Sequence, residues 1–176
     1  MYPEIILPGD LPYLPSMMRN IENDVALRTK ATNLCGQSAV LFMDLLMEVL
    51  DKHPDAVGRG DLLKLLQRVV EASDQLPSRL LITGVTGMIY NNQGGEATIF
   101  KCRHGDRDVA ARVIHVKSSD NDTDMTRSLQ GIRREIIVHR QLRNRHILEL
   151  LGIIETDQHP LTIITPWMEN GQASNT

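Results

Sequence analysis

The spacing of apolar residues changes near Pro77, and this change limits the folds that are open to the chain. Before it, apolar side chains recur every three or four residues, as they do along an amphipathic helix. After it, short runs rich in Ile, Val and Thr are separated by Gly, Asn, Asp and His, which is typical of strands. The sequence therefore predicts an α+β fold, in which a helical region precedes a mixed lobe.

The helical region is expected over residues 16–78, after an irregular arm at 1–15 that contains four prolines. Apolar residues between 37 and 52 follow helical spacing on two adjoining faces, which indicates a mostly buried helix. A segment with one proline and two glycines then interrupts the pattern. Asp61 is the expected N-cap of a second helix that ends near Asp74. We predict a helical hairpin or small bundle with little chemistry of its own.

The second half is expected to form an antiparallel sheet with one helix. The helical pattern extends from about Asp122 to Leu142. The sequence HGDRD at 104–108 separates two alternating runs and predicts a hairpin turn. The runs that we predict as strands are LLITGV (80–85), GMIY (87–90), ATIFKCR (97–103), VAARVIHV (109–116) and LTIIT (161–165).

Composition excludes several classes of function. A net charge of −3 and a pI near 6.1 give no general attraction to nucleic acid or to an anionic membrane. One local basic cluster exists, and we interpret it as a solvated helix face. Its members are Arg133, Arg134, Arg140, Arg143 and Arg145.

Cysteines and histidines fit no metal-binding or disulfide pattern. The two cysteines are far apart and the six histidines are scattered, so we assign no metal. The first residues lack the basic and apolar segments of a signal peptide, and no apolar run has membrane-spanning length. We expect a cytoplasmic or nuclear protein that is not secreted.

Four motifs stand in the order found in the N-terminal lobe of protein kinases. The chain resembles that lobe from 83 to 171, and most closely the tyrosine-kinase-like group of fungi. We therefore expect a kinase-like lobe of five antiparallel strands and one αC-like helix over 79–171, followed by a tail at 172–176. The motifs are a glycine-rich loop, GGEATIFK (94–101); a VAIK-like strand, VAAR (109–112); the end of αC and the following segment, REI (134–136) to HILELLG (146–152); and a hinge, PWMENG (166–171).

The resemblance implies a nucleotide cleft whose apolar walls are better kept than its phosphate-facing parts. Ile99 and Ala110 match the residues that sandwich adenine. Thr165 matches the gatekeeper, and Met168 matches the hinge residue that offers backbone groups to the base.

The phosphate-facing positions have changed. Arg112 replaces the VAIK lysine, and Glu135 matches its αC partner. Arginine keeps the charge but presents a longer planar fork, and we expect it to form a structural ion pair with Glu135. The three glycine positions of the glycine-rich loop hold Asn92, Gly94 and Ala97, so only Gly94 is kept. The pair Gly94 and Gly95 is as typical of a plain turn as of a nucleotide loop.

The resemblance also implies what the chain does. Neither an HRD nor a DFG motif occurs in the 176 residues, so we expect no catalytic residue, no Mg²⁺ site and at most residual binding of ATP. A truncated, pseudokinase-like module would instead act by protein interaction, as a homodimer or docked on a complete kinase, and without nucleic acid or membrane. One alternative is the N-terminal part of a protein kinase that uses ATP when complete. Another is that the helices oligomerise or act on membranes.

Overall fold

A computed structural model describes residues 20–55, 57–93, 97–115, 122–155 and 161–169. The chain divides into two compact units, one ending at Gln75 and the other beginning at Leu76. The first unit is helical, and the second contains a five-stranded antiparallel sheet and one long helix. The α+β prediction is confirmed.

Three helices make up most of the described part of the first unit: α1 (Val25–Thr32), α2 (Gly36–Lys52) and α3 (Arg59–Ser73). The carboxylate of Asp24 caps α1 by accepting hydrogen bonds from the amides of Ala26 and Leu27 at 2.8 and 3.0 Å. Helices α2 and α3 pack on each other through side chains that are almost fully buried. These side chains are Met43, Leu46, Met47, Leu50, Leu62, Leu65, Leu66 and Val69.

The start of α3 corrects one prediction. Asp61 is not the N-cap, because the helix begins two residues earlier, after Gly58. Gly58 has φ 86°, a left-handed conformation that glycine adopts without steric cost, so the chain can enter the helix there. Asp61 lies in the first turn and pairs with Lys64 at 3.1 Å. The predicted end near Asp74 is confirmed, since Asp74 is the C-cap.

The second unit contains strands β1 (Val85–Gln93), β2 (Ala97–His104), β3 (Arg107–Ile114), β4 (Gly152–Ile154) and β5 (Thr162–Pro166), with helix α4 (Asp122–Gln141) between β3 and β4. The strand order is β1-β2-β3-β5-β4, and all neighbours are antiparallel. The predicted hairpin turn is confirmed as the two residues Gly105 and Asp106. Gly105 has φ 58°, which suits the first central position of a tight hairpin turn.

The run at 80–85 is not a strand, which is a second correction. Ser78–Leu80 form one turn of 3₁₀ helix, and Leu81 makes only an isolated bridge to Ile153. Gly84 has φ 78°, which interrupts the extended backbone, and β1 begins at the next residue. The chain before β1 therefore lies along β4.

The two faces of the sheet carry different side chains. One face holds a buried cluster of Cys102, Val109, Ala111 and Ile164. Alternation along β3 places Ala110 on the opposite face. Among the helices that the structure describes, none is both long and apolar enough to cross a bilayer.

Candidate ligand-binding cleft

A cavity of about 470 Å³ lies between the second face of the sheet, helix α4 and the segment after β5. Its lining is mainly apolar, with charged and polar side chains at a few positions. The lining residues are Asn91, Ile99, Ala110, Arg112, Glu135, Ile136, His139, Leu148, Ile163, Thr165, Pro166, Trp167 and Met168.

Six of the eight residues that the sequence assigned to a nucleotide cleft line this one cavity. They are Ile99, Ala110, Arg112, Glu135, Thr165 and Met168. Gly94 and Gly95 lie outside the described residues. The structure thus brings the six together, and their role toward a nucleotide stays a prediction.

Strand register arranges the cleft residues in two rows across β2, β3 and β5. Arg112 pairs with Ile99 on one side and Ile163 on the other. In the next row, Ala110 pairs with Lys101 and Thr165. The side chain of Arg112 therefore leaves β3 between the aliphatic side chains of Ile99 and Ile163. Ala110 has a small side chain and leaves open space beside the segment after β5.

The expected ion pair between Arg112 and Glu135 is absent from the part of the chain that the structure describes. Both residues line the cleft and both are exposed. Water solvates such charges well, and an exposed ion pair contributes only about 0–1 kcal/mol. The cleft consequently presents a cation and an anion that no described partner neutralises.

Lys101 lies on β2, next to the strand of Arg112, and could in principle replace the VAIK lysine, but the structure holds its ammonium elsewhere. Its ammonium lies 2.8 Å from a carboxylate oxygen of Asp108 and 5.1 Å from the ring centroid of Trp167. Both contacts keep it in the row of Ala110, beside the segment after β5. Lys117, which follows Arg112 by five residues in the sequence, lies outside the described residues.

Asp108 joins the β2–β3 hairpin to the segment after β5. Its carboxylate binds Lys101 and also accepts from Arg103 Nη1 at 3.1 Å. Its backbone carbonyl accepts a hydrogen bond from the Trp167 amide at 3.2 Å. The hydrogen bond from Lys101, helped by the charges of both cations, lowers the pKa of Asp108 below its ordinary value. The result is a polar clasp of Lys101, Asp108 and Trp167 at one end of the cleft.

His139 has a structural partner. Its Nε2 donates to the carbonyl of Leu148 at 2.7 Å, so the proton must reside on Nε2. This bond ties α4 to the chain that leads into β4. His139 is half-exposed in this position.

Some lining residues could not be assigned from the motifs alone. Ile163 could have been found, because it lies two residues before Thr165 on β5 and alternation puts both on one face. Leu148 gives no such signal, since it lies in an irregular segment. Within the described ranges, no group of three or more His, Cys, Asp or Glu residues is placed to hold a metal ion.

A sheet of five antiparallel strands, one long helix after the third strand and a cleft between them define a kinase-type small lobe. A family model for protein tyrosine and serine/threonine kinases matches residues 87–176, which is about half of the chain. The chain therefore belongs to the protein kinase family. No curated protein matches it.

Proposed function

We propose that this kinase-family lobe is a pseudokinase-like module that acts by binding another protein, with at most residual affinity for ATP. Arg112 is the observation that carries the proposal. In an active kinase, a lysine at this position contacts the α- and β-phosphates and pairs with the αC glutamate.

Arg112 is poorly suited to that task. Its guanidinium is a planar fork on a long side chain, whereas a lysine offers a compact point charge. In this cleft the Arg112 side chain leaves β3 between Ile99 and Ile163. Among the described residues it forms no ion pair with Glu135. The phosphate-facing end therefore lacks the lysine–glutamate pair that positions a nucleotide for transfer.

Lys101 does not compensate for the change. To reach a phosphate near Arg112, it would have to give up its ion pair with Asp108 and its contact with Trp167. The row that contains Lys101 is also displaced by two residues along β3 from Arg112. Its present contacts instead fix the segment after β5.

Exposed apolar side chains support a role in protein interaction. Met88, Ile89 and Tyr90 on the edge strand β1 are 51%, 67% and 58% exposed, and Met168 beside the cleft is 56% exposed. Large exposed apolar side chains on an edge strand are a typical feature of partner sites. A second copy of this chain or a complete kinase is the partner that we propose.

Nucleotide binding tests the proposal. The chain is heated with ATP at millimolar concentration, with and without Mg²⁺, and its Tm is compared with that of the free chain. We expect no measurable rise in Tm, because a ligand whose Kd lies far above its concentration adds almost nothing to the free energy of unfolding. A rise that requires Mg²⁺ would contradict the proposal and favour an ATP-using kinase.

The alternative, an ATP-using kinase, has one observation in its favour. The apolar walls formed by Ile99, Ala110 and Met168 enclose a cavity large enough for a flat base. Mass measurement by light scattering supplies the second arm of the test. A concentration-dependent dimer without nucleotide binding supports the interaction module, whereas a monomer that binds Mg²⁺ and ATP supports the enzyme.

A further inference from the structure

The sheet has two edges, and within the part of the chain that the structure describes only one of them is covered. At the β4 edge, Leu81 bridges Ile153, and the amide of Ile82 donates to the carbonyl of Ile153 at 3.0 Å. At the other edge lies β1, and no described strand pairs with its outer side. An uncovered strand presents unpaired N–H and C=O groups that a further strand can bind.

An apolar row of residues crosses the sheet and ends at this open edge. Residues that pair on neighbouring strands share a face of the sheet. Ile164 and Ala111, at the inner end of the row, are 0% exposed. Phe100 on β2 is partly buried, and Tyr90 on β1, which pairs with it, is 58% exposed. The two aromatic rings meet edge to face with 6.2 Å between their centroids, so the row continues the buried cluster outward to the surface.

Strand β1 carries none of the side chains that usually protect an open edge. Natural edge strands discourage pairing with charged residues, above all lysine, or with proline. The sequence of β1, VTGMIYNNQ (85–93), contains no Asp, Glu, Lys, Arg, His or Pro. Its centre is instead apolar, and Met88 and Ile89 are 51% and 67% exposed.

We infer that β1 pairs with β1 of a second copy of this chain, antiparallel about a twofold axis at Ile89. The inference rests on the proposed protein-binding function and names both the partner and the contact. Absence of charge favours a second copy as the occupant. Identical strands related by a twofold axis place any charge near the axis close to a like charge, which destabilises the pair. That cost is absent here.

A twofold axis at Ile89 also pairs the apolar side chains with one another. Ile89 would face Ile89 of the second copy, and Met88 would lie opposite Tyr90 of the second copy on the face that holds Phe100. Contacts between a methionine sulfur and an aromatic ring are favourable. The apolar row would then run from one sheet into the other without interruption.

Two bulges limit the length of this contact. The register between β1 and β2 shifts between Thr86 and Ile89 and again between Tyr90 and Asn92. Gly87 has φ 68°, the left-handed conformation of a glycine bulge. Bulges bend a strand and interrupt its pairing, so the contact should centre on residues 88–90. An interface this short belongs to the weak class, below about 1,200 Å² in total, and its twofold symmetry closes it as a dimer.

Sedimentation equilibrium of the full chain tests the inference. As the concentration is raised, the weight-average mass should rise from 19.8 kDa toward twice that value and no further. I89K should raise the Kd of the dimer at least about tenfold, because two lysines then replace two isoleucines at the axis. V57K, at an 80% exposed position of the helical unit, is the matched control and should change the Kd by less than about twofold.

Mixed variants test the twofold arrangement itself. Equal amounts of I89K and I89E should form more dimer than either variant alone, because opposite charges then face each other across the axis. An equal mixture of V57K and V57E should show no such gain. Absence of a gain for the pair at position 89 would contradict the axis.

Disulfide formation provides a second measurement of the contact. The C35S background removes the exposed thiol, and Cys102 is buried. Oxidation of C35S/I89C with diamide should yield a covalent dimer, since directly opposed residues of paired strands come within reach of a disulfide. C35S/V57C is the control and should remain mostly monomeric.

Three outcomes would overturn the inference. A full chain that stays monomeric at all concentrations would assign the edge to another occupant, such as a complete kinase. A dimer that neither I89K weakens nor I89C cross-links would use a different surface. Growth of the mass beyond a dimer would indicate open-ended strand addition. A dimer through β1 that also binds Mg²⁺ and ATP would contradict the proposed function and support the inference, so the two can fail separately.

Discussion

At the scale of single residues, the side chain at position 112 determines how the cleft can bind a phosphate. Arginine is always charged and binds as a planar fork, so its best ligands are carboxylates and phosphates that it can meet edge-on. A lysine there would offer one rotatable ammonium at shorter reach. Because Glu135 lines the same cavity, the chain still contains the anionic half of the pair that active kinases use.

Restoring the lysine is therefore expected to restore part of the nucleotide site. R112K should bind Mg²⁺ and ATP about tenfold more tightly than the wild type, which corresponds to about 1.4 kcal/mol. Isothermal titration calorimetry measures the difference. In R112K/E135Q the gain should vanish, because the lysine loses its orienting carboxylate. Equal affinities for R112K and the wild type would show that other positions limit binding.

The clasp at the other end of the cleft can be tested through the single tryptophan of the chain. K101M removes the ion pair to Asp108 and the cation over Trp167. We expect a loss of about 0.5–1 kcal/mol in the free energy of unfolding and a changed emission maximum for Trp167. K64M removes a surface ion pair in the helical unit and serves as the control, with no change in emission. Identical spectra for K101M and the wild type would contradict the clasp.

Because of Asp108, the free energy of unfolding of the sheet unit should depend on pH in the acidic range. Its pKa in the folded chain is lowered below the ordinary 3.8 by the hydrogen bond from Lys101 and by the neighbouring cations. The ionised carboxylate of Asp108 therefore contributes its full stabilisation at pH values above the ordinary pKa. This stabilisation is lost as the pH falls through the lowered pKa of the folded chain.

Urea unfolding at a series of acidic pH values measures this dependence. The difference in stability between the wild type and D108N should be constant near neutral pH and should shrink below about pH 4. D106N, in the turn of the same hairpin, is the control. A difference that grows on acidification would have the wrong sign for a carboxylate with a lowered pKa.

At the scale of elements, two glycines that look alike in the sequence have opposite structural roles. A Cβ on Gly152 in β4 would lie 2.5 Å from Ile82 Cγ2 and 2.8 Å from the backbone oxygen of Leu80. A Cβ on Gly131 in α4 would meet nothing within 4 Å. Only the first glycine is required by a close approach of two chain segments.

The matched substitutions should consequently act in opposite directions. G152A is expected to lower the free energy of unfolding by about 1–3 kcal/mol, because the contacting backbone cannot move aside easily. G131A should raise it by about 0.5–1 kcal/mol, since alanine favours the helix interior. Urea unfolding of both variants checks the pair. A neutral G152A would mean that the segment before β1 can detach from β4.

The sequence predicted those elements whose signals are local. Alternation and a tight turn predicted β2 and β3, and helical spacing predicted α4. Strand β4 has only three residues, which is too short for a periodic signal, although its partner β5 is the next strand along the chain.

The cleft shows the same division. Motif positions predicted six of its lining residues, but not how their side chains pair. Lys101 is engaged by Asp108 and Trp167, and Arg112 does not meet Glu135 among the described residues. Which charged side chains pair depends on the competition of water and of charges on neighbouring strands for the same groups. The order of residues along the chain does not give that information.

At the scale of the whole molecule, the family match and the compact unit begin at different places. The family model starts at residue 87, whereas the unit starts at Leu76. Leu80 is 1% exposed, and the amide of Ile82 donates to the carbonyl of Ile153 at 3.0 Å. The segment before β1 therefore belongs to the lobe physically, although the family pattern does not include it.

A pair of fragments tests this boundary. Residues 76–176 should unfold cooperatively, with Trp167 as the probe. Residues 85–176 should lose at least about 2 kcal/mol of unfolding free energy, because a buried leucine and a backbone hydrogen bond are removed. Equal stability of the two fragments would show that the segment is dispensable.

The two-residue turn at Gly105 and Asp106 also bears on how quickly the lobe assembles. All eight positions of β2 pair with β3 across this turn, so the two strands meet with almost no loop to close. Hairpins form in about 1–10 μs, far faster than contacts between distant segments. β5 follows α4 and β4 along the chain, so its pairing with β3 closes a much longer loop. The hairpin is thus the natural nucleus, and substitutions in it should slow folding, whereas G152A should mainly speed unfolding.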